Sequence, residues 1–233
     1  LEAGGNIALS ADNNLNIIAS KIKAANDVGL KAGQDVHILS AVDENASFYS
    51  KKSKGSFGRS KSKQQESYDS TNVASVIDAG NNLSINTRIT DAGRLSLEGG
   101  RNVTVIGSQL NAGHDLLIGT TKDITVLSGI EEHGSYSKTT KSGFLGLNKS
   151  GKSQLKTTAT QVSSELNAAN DVVLMAGNDL GVRASTVDAG NDVELRAGLL
   201  ESTGDINLLS ANNKAYSMSE RYRKKTGLSA SGG

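Results

Sequence analysis

Ala112-Gly113-His114-Asp115-Leu116-Leu117-Ile118 and Ala189-Gly190-Asn191-Asp192-Val193-Glu194-Leu195 are two settings of one phrase. It runs Ala-Gly, any residue, Asp or Asn, then an aliphatic, any residue and a second aliphatic. The phrase returns from Ala32, Ala79 and Ala176, with looser copies from Ala3, Ala24, Gly99 and Ala168. Counted at the Asp/Asn, the first anchors are Asn6, Asn14, Asp27 and Asp35, spaced 8, 13 and 8. Asn102, Asp115 and Asp123 give 13 and 8; Asp171, Asp179 and Asp192 give 8 and 13. Together, 8 and 13 make a period of 21 residues.

Each phrase reads as a turn followed by a short strand. Glycine tolerates a positive φ, and the Asp/Asn side chain can bond its own backbone. The strand alternates, so Val28 and Leu30, or Val103 and Val105, point to one face. The longer spacing hides a third strand, as in Ser20-Lys21-Ile22-Lys23-Ala24, Ser108-Gln109-Leu110-Asn111-Ala112 and Ser185-Thr186-Val187-Asp188-Ala189. Three strands per repeat predict one coil of an all-β, parallel β-helix. It is expected to wind right-handed, as parallel crossovers do. Coils stacked about 4.8 Å apart would bury ladders of Val, Ile, Leu and Ala. An amphipathic helix is excluded by the two-residue apolar period and recurrent glycine. A β-sandwich would impose no fixed period.

The composition suits a thin coil. The 233 residues include 26 Gly, no Pro, Trp or Cys, and only 3% aromatics. Without cysteine there is no disulfide, thiolate zinc site or thiol nucleophile. No segment is long and apolar enough for a transmembrane helix, and none resembles a signal peptide. The chain begins at Leu1 and stops at Ser231-Gly232-Gly233 in mid-pattern, and is read as a piece of a longer protein. One β-helical repeat domain is expected over 1–233, interrupted by insertions at about 42–76, 130–163 and 212–233.

The insertions hold what the repeat lacks. Two anchor gaps break the rhythm, 47 residues from Asp35 to Asn82 and 48 from Asp123 to Asp171. The chain leaves through matching segments, Ile38-Leu39-Ser40-Ala41, Val126-Leu127-Ser128-Gly129 and Leu208-Leu209-Ser210-Ala211. The exits at Ser40, Ser128 and Ser210 lie 88 and 82 residues apart, so a larger unit repeats as well. The shorter second unit is ascribed to a degenerate stretch near Leu199-Leu200, where an Asp anchor is missing. All eight aromatic residues lie in or beside the insertions: Phe48, Tyr49, Phe57 and Tyr68, then Tyr136 and Phe144, then Tyr216 and Tyr222. Residues 51–63 carry six Lys/Arg and no acid, 134–156 five and no acid, and 214–225 five against Glu220. These segments sum to +15 in a chain of net charge +1, which leaves −14 for the rest. The first two insertions are expected to form β-hairpins with tips near Gly55 to Gly58 and Gly143 to Gly151, leaving one side of the coil.

The Ala-Gly-x-Asp-aliphatic phrases, with their Ser40, Ser128 and Ser210 exits into Ser/Lys-rich insertions, resemble the hemagglutinin repeats of filamentous hemagglutinin-like proteins. The resemblance covers nearly the whole chain. It implies a secreted or cell-surface protein of a Gram-negative bacterium, exported by two-partner secretion through an outer-membrane transporter. The insertion style is most similar to the second hemagglutinin-repeat region of contact-dependent growth inhibition effectors. That likeness implies a region that engages a target cell's outer membrane and helps deliver a C-terminal toxin. Neither the amino-terminal secretion domain nor the Val-Glu-Asn-Asn motif that precedes the toxin is present in the sequence.

Catalysis is disfavoured because the recurring carboxylates Asp27, Asp115, Asp171 and Asp192 occupy turn positions that Asn82 and Asn102 fill equally well. His37, His114 and His133 show no metal-ligand spacing, and no cofactor is implied. The insertions instead predict contact with an anionic surface, membrane or lipopolysaccharide, because Tyr and Phe favour the membrane interface and Lys/Arg an anionic one. In the first, the candidate residues are Phe48, Tyr49, Lys51, Lys52, Lys54, Phe57, Arg59, Lys61 and Lys63. The second supplies Tyr136, Lys138, Lys141, Phe144, Leu145, Leu147, Lys149 and Lys152, and the third Tyr216, Arg221, Tyr222, Arg223, Lys224 and Lys225. Phe144-Leu145-Gly146-Leu147, between Lys141 and Lys149, reads as an apolar tip in a basic frame. Adhesion to host glycans needs the same cations and stays open, as do soluble loops on a structural stalk. Nucleic acid is disfavoured by the acidic remainder. Exposed ends of a β-helix would allow self-association.

Overall fold

A computed structural model describes residues 1–89, 95–200 and 203–226. Contacts divide the chain into two units. The first comprises 1–42, 72–130 and 161–212; the second comprises 43–71, 131–160 and 213–233. The expected third insertion thus reaches past the described residues after 226.

The first unit is a parallel β-helix of six coils, with three six-stranded parallel sheets. One coil consists of Gln109–Ala112, Leu116–Thr120 and Ile124–Leu127. The alanine that opens the first phrase of each coil stacks on its equivalent one coil away, in the order Ala3, Ala24, Ala79, Ala112, Ala168 and Ala189. Ile7, Val28, Leu83, Leu116, Val172 and Val193 form another ladder. Leu15, Val36, Val103, Ile124, Leu180 and Ile206 form a third. In the inner coils the inward-facing side chains are sealed from solvent, and they merge into one continuous core. No ring enters it, because each coil encloses room for aliphatic side chains only.

The turn residues act across coils. Asp27 Oδ1 accepts the Asn82 N–H (3.1 Å) and the Asn81 Nδ2 amide (2.8 Å), both one coil on. The same side-chain-to-backbone bond links Asn6 to Asp27, Asn82 to Asp115, Asp115 to Asp171 and Asp171 to Asp192. A second ladder takes Asn14 to Asp35, Asn102 to Asp123, Asp123 to Asp179 and Asp179 to Asp205. The anchors therefore bond the next coil, where the sequence suggested a bond to their own backbone. The turn glycines also differ from expectation. Gly33, Gly80, Gly113, Gly177 and Gly190 do not adopt a positive φ. A Cβ on Gly113 would stand 2.1 Å from the Gly80 carbonyl oxygen, and one on Gly80 2.0 Å from that of Ala25. Glycine is needed there for close stacking of backbones.

Two turns of the coil are longer than the rhythm predicts. Asn82 to Asn102 is 20 residues where 8 were expected, and the excess includes a small antiparallel pair, Thr87–Ile89 with Leu95–Leu97. The anchor expected near Leu199-Leu200 is Asp205, delayed by five residues, whose N–H bonds Asp179 Oδ1 at 2.9 Å; that stretch therefore lengthens the second large unit, and the first is longer still because of the span from Asn82 to Asn102.

The insertions are spliced into one corner of the coil. In coils without them, the third strand ends, one residue turns at positive φ, and a serine hydroxyl bonds back two residues. Ser20 bonds Ile18 around Ala19, Ser108 bonds Ile106 around Gly107, and Ser185 bonds Arg183 around Ala184. In the coils with insertions the same bond joins Ser75 Oγ to the Leu39 carbonyl (2.7 Å) and Ser164 Oγ to the Leu127 carbonyl (2.6 Å). The one turning residue has been replaced by a whole insertion. Leu39, Leu127 and Leu209 lie in one register row with Ile18, Ile106 and Arg183, so every second coil carries an exit.

Candidate anionic-surface interface

The second unit is a single five-stranded antiparallel sheet made of the insertions alone. The outgoing strands are Ala41–Lys54, Gly129–Ser142 and Lys214–Lys225, and the return strands are Ser60–Val73 and Asn148–Val162. Each hairpin pairs with the next, return strand to outgoing strand. Ser60 opposes Ser142, and Lys149 opposes Lys224. These pairs occupy equivalent places in the two insertions, so one register serves both contacts.

Strand alternation sorts the side chains into two faces. On one, Phe48, Tyr68, Tyr136 and Leu155 line a shallow groove of about 440 Å³. The pairing carries Met218 (opposite Leu155), Tyr216 (opposite Thr157) and Tyr222 (opposite Gly151) onto the same side. The strand glycines are where rings lie. A Cβ on Gly151 would stand 2.1 Å from the Tyr222 ring, and Gly134 faces Tyr68 across its pair. The second tip is accordingly shorter than expected, because Gly151 belongs to a strand. The Tyr68 hydroxyl donates to Glu44 at 3.1 Å, and that bond, with a minor contribution from burial, raises its pKa.

The opposite face is basic toward the tips. Lys61 pairs with Lys141, and Lys152 with Arg221. Lys63 reaches the ring of Tyr49, 5.9 Å from its centroid.

Both tips turn through a bulky residue in the left-handed region. Phe57 has φ 58°, ψ 40° and Leu145 has φ 49°, ψ 21°, each followed by a glycine at φ 74°. Tight hairpin turns of this hand favour Asn or Gly at the first place. A large side chain there costs roughly 1–2 kcal/mol. The side chains gain little burial in return: Phe57 is 70% and Leu145 65% exposed. Phe57 and Phe144 meet with ring centroids 5.8 Å apart, so the two hairpins share one apolar cap. All eight aromatic residues and the cations named from the sequence lie within this unit. The faces and the shared cap were not legible beforehand, because they depend on pairing between insertions.

A parallel β-helix bearing a sheet of its own insertions defines a repeat-built structural or adhesin-like segment. The family model described as hemagglutinin repeat matches residues 1–60, 55–150 and 145–233. The chain belongs to that family, which is secreted or cell-surface and set in two-partner secretion proteins. No curated protein and no solved structure matches it.

Proposed function

We propose that the five-stranded sheet is the contact surface of a contact-dependent growth inhibition effector. It engages the outer membrane of a target cell and helps pass a C-terminal toxin inward. The observation that carries this reading is the shared tip, where Phe57, Phe144 and Leu145 stand exposed above a field of Lys and Arg. An apolar cap can enter the acyl boundary while cations hold lipopolysaccharide phosphates, each worth about 1 kcal/mol near an anionic surface. The β-helix serves as spacer. Its anchor carboxylates Asp27, Asp115, Asp123, Asp171 and Asp179 are engaged as acceptors between coils, which supports a non-catalytic role. Export follows from an outer-membrane transporter partner in a Gram-negative host.

Co-sedimentation with vesicles containing lipopolysaccharide tests the proposal. The protein should bind, and replacing Phe57, Phe144 and Leu145 together by Ser should cut binding and toxin delivery by the intact effector at least about tenfold. Unchanged binding and delivery would overturn it. Binding to sulfated glycans with none to these vesicles would instead make the segment an adhesin.

A further inference from the structure

We infer that the basic face of the hairpin sheet holds a discrete site for clustered phosphate groups, such as adjacent phosphomonoesters or a pyrophosphate. The inference rests on the anionic-surface reading and narrows it to one groove and one chemistry. The groove, of about 610 Å³, is lined by Lys141, Lys152, Arg221 and Arg223 with the hydroxyls of Thr139 and Ser150. These residues come from three adjacent strands, and a fourth adds Lys61 directly opposite Lys141. The site is therefore a row of cations across the sheet, built by both contacts between insertions.

Two observations point to a ligand. The cations face one another: Lys61 opposes Lys141 and Lys152 opposes Arg221, and on the other face Lys149 opposes Lys224. Directly opposed like charges destabilise a sheet, so the pairing is held against a repulsion that a bound anion would turn into attraction. No carboxylate lines the groove, and among the described residues none of its four cations forms an ion pair. The residue types suit phosphate. Arg221 and Arg223, two apart on one strand, present two guanidinium forks to the same face, and Lys supplies point charge beside them. Thr139 and Ser150 can donate to oxygens that the cations leave free.

Thermal unfolding with sodium tripolyphosphate at low ionic strength tests this. The protein should gain thermal stability with a saturable dependence on ligand, as a site specific to the folded state requires. Lys152→Ser with Arg221→Ser should raise the melting temperature without ligand, by removing an opposed pair, and weaken the tripolyphosphate response about tenfold or more. Lys156→Ser with Lys214→Ser removes the same charge elsewhere on the sheet, away from the groove, and should keep the response. Equal loss in both variants, or an equal shift from sulfate at matched ionic strength, would overturn the site in favour of diffuse attraction. Vesicles carrying phosphatidic acid separate the sources. Binding of both ligands through Lys152 and Arg221 supports a lipid-borne phosphate. Tripolyphosphate binding without vesicle binding supports a soluble ligand and sinks the membrane reading alone. If neither binds while the apolar cap still takes up lipopolysaccharide vesicles, the groove is refuted and the membrane reading survives.

Discussion

At the residue scale the repeat is written in hydrogen-bond acceptors. An anchor needs one side-chain oxygen aimed at the N–H of the next coil, which both Asp and Asn provide, so the two alternate along the ladders. Asp123 shows the requirement most simply. Its Oδ1 accepts the Asp179 N–H at 3.1 Å and the Asn178 amide at 2.9 Å. Asp123→Ala should lower stability by about 1–2 kcal/mol, because it deletes both bonds and leaves the donors to find water. Asp123→Asn should stay within about 0.5 kcal/mol, since it keeps the acceptor. Urea-denaturation midpoints of the two variants check this; equal losses would mean the ladder depends on charge. The anchors could be found from their spacing, but the direction of their bonds could not. A turn residue bonding itself and one bonding the next coil leave the same letters in the sequence. The glycine of each phrase posed the same problem, since positive φ and close backbone approach both exclude a side chain.

At the element scale, spacing explains why hairpins from different insertions join. Exits occur on every second coil, and coils stack about 4.8 Å apart. A hairpin is two strands wide at the same interval, so successive hairpins are spaced to pair side by side. The sequence disclosed each hairpin through its exit and its glycines. It could not disclose the sheet, because Lys61 against Lys141 and Lys152 against Arg221 are pairings that charge alone argues against. The strained tips fit that picture. Leu145→Asn should stabilise the protein by about 1 kcal/mol, because Asn tolerates the left-handed region better. The same change should reduce uptake by lipopolysaccharide vesicles. Paired melting and co-sedimentation measurements check the trade; lower stability would show that Leu145 is held there by packing.

At the scale of the whole molecule, two coils and one insertion form the repeating unit, and the division of labour follows from it. The fold was legible because 21-residue spacing admits few architectures, and aliphatic ladders such as Leu83, Leu116 and Val172 repeat it without ambiguity. The small pair at Thr87–Ile89 and Leu95–Leu97 and the delayed Asp205 were missed for one reason: each lengthens a turn without changing the strands around it. The corner at Ile106-Gly107-Ser108 supplies the means to separate spine from contact surface. Residues 40–74 and 128–163 can each be replaced by a single glycine, and the chain ended after Leu209. The central claim is that the β-helix folds alone while the insertions make the contact. Binding of this spine to lipopolysaccharide vesicles, measured with its circular dichroism and unfolding curve, tests it most directly. A cooperatively folded β-protein that no longer binds is the expected result; a folded spine that binds as well as the intact chain would contradict it.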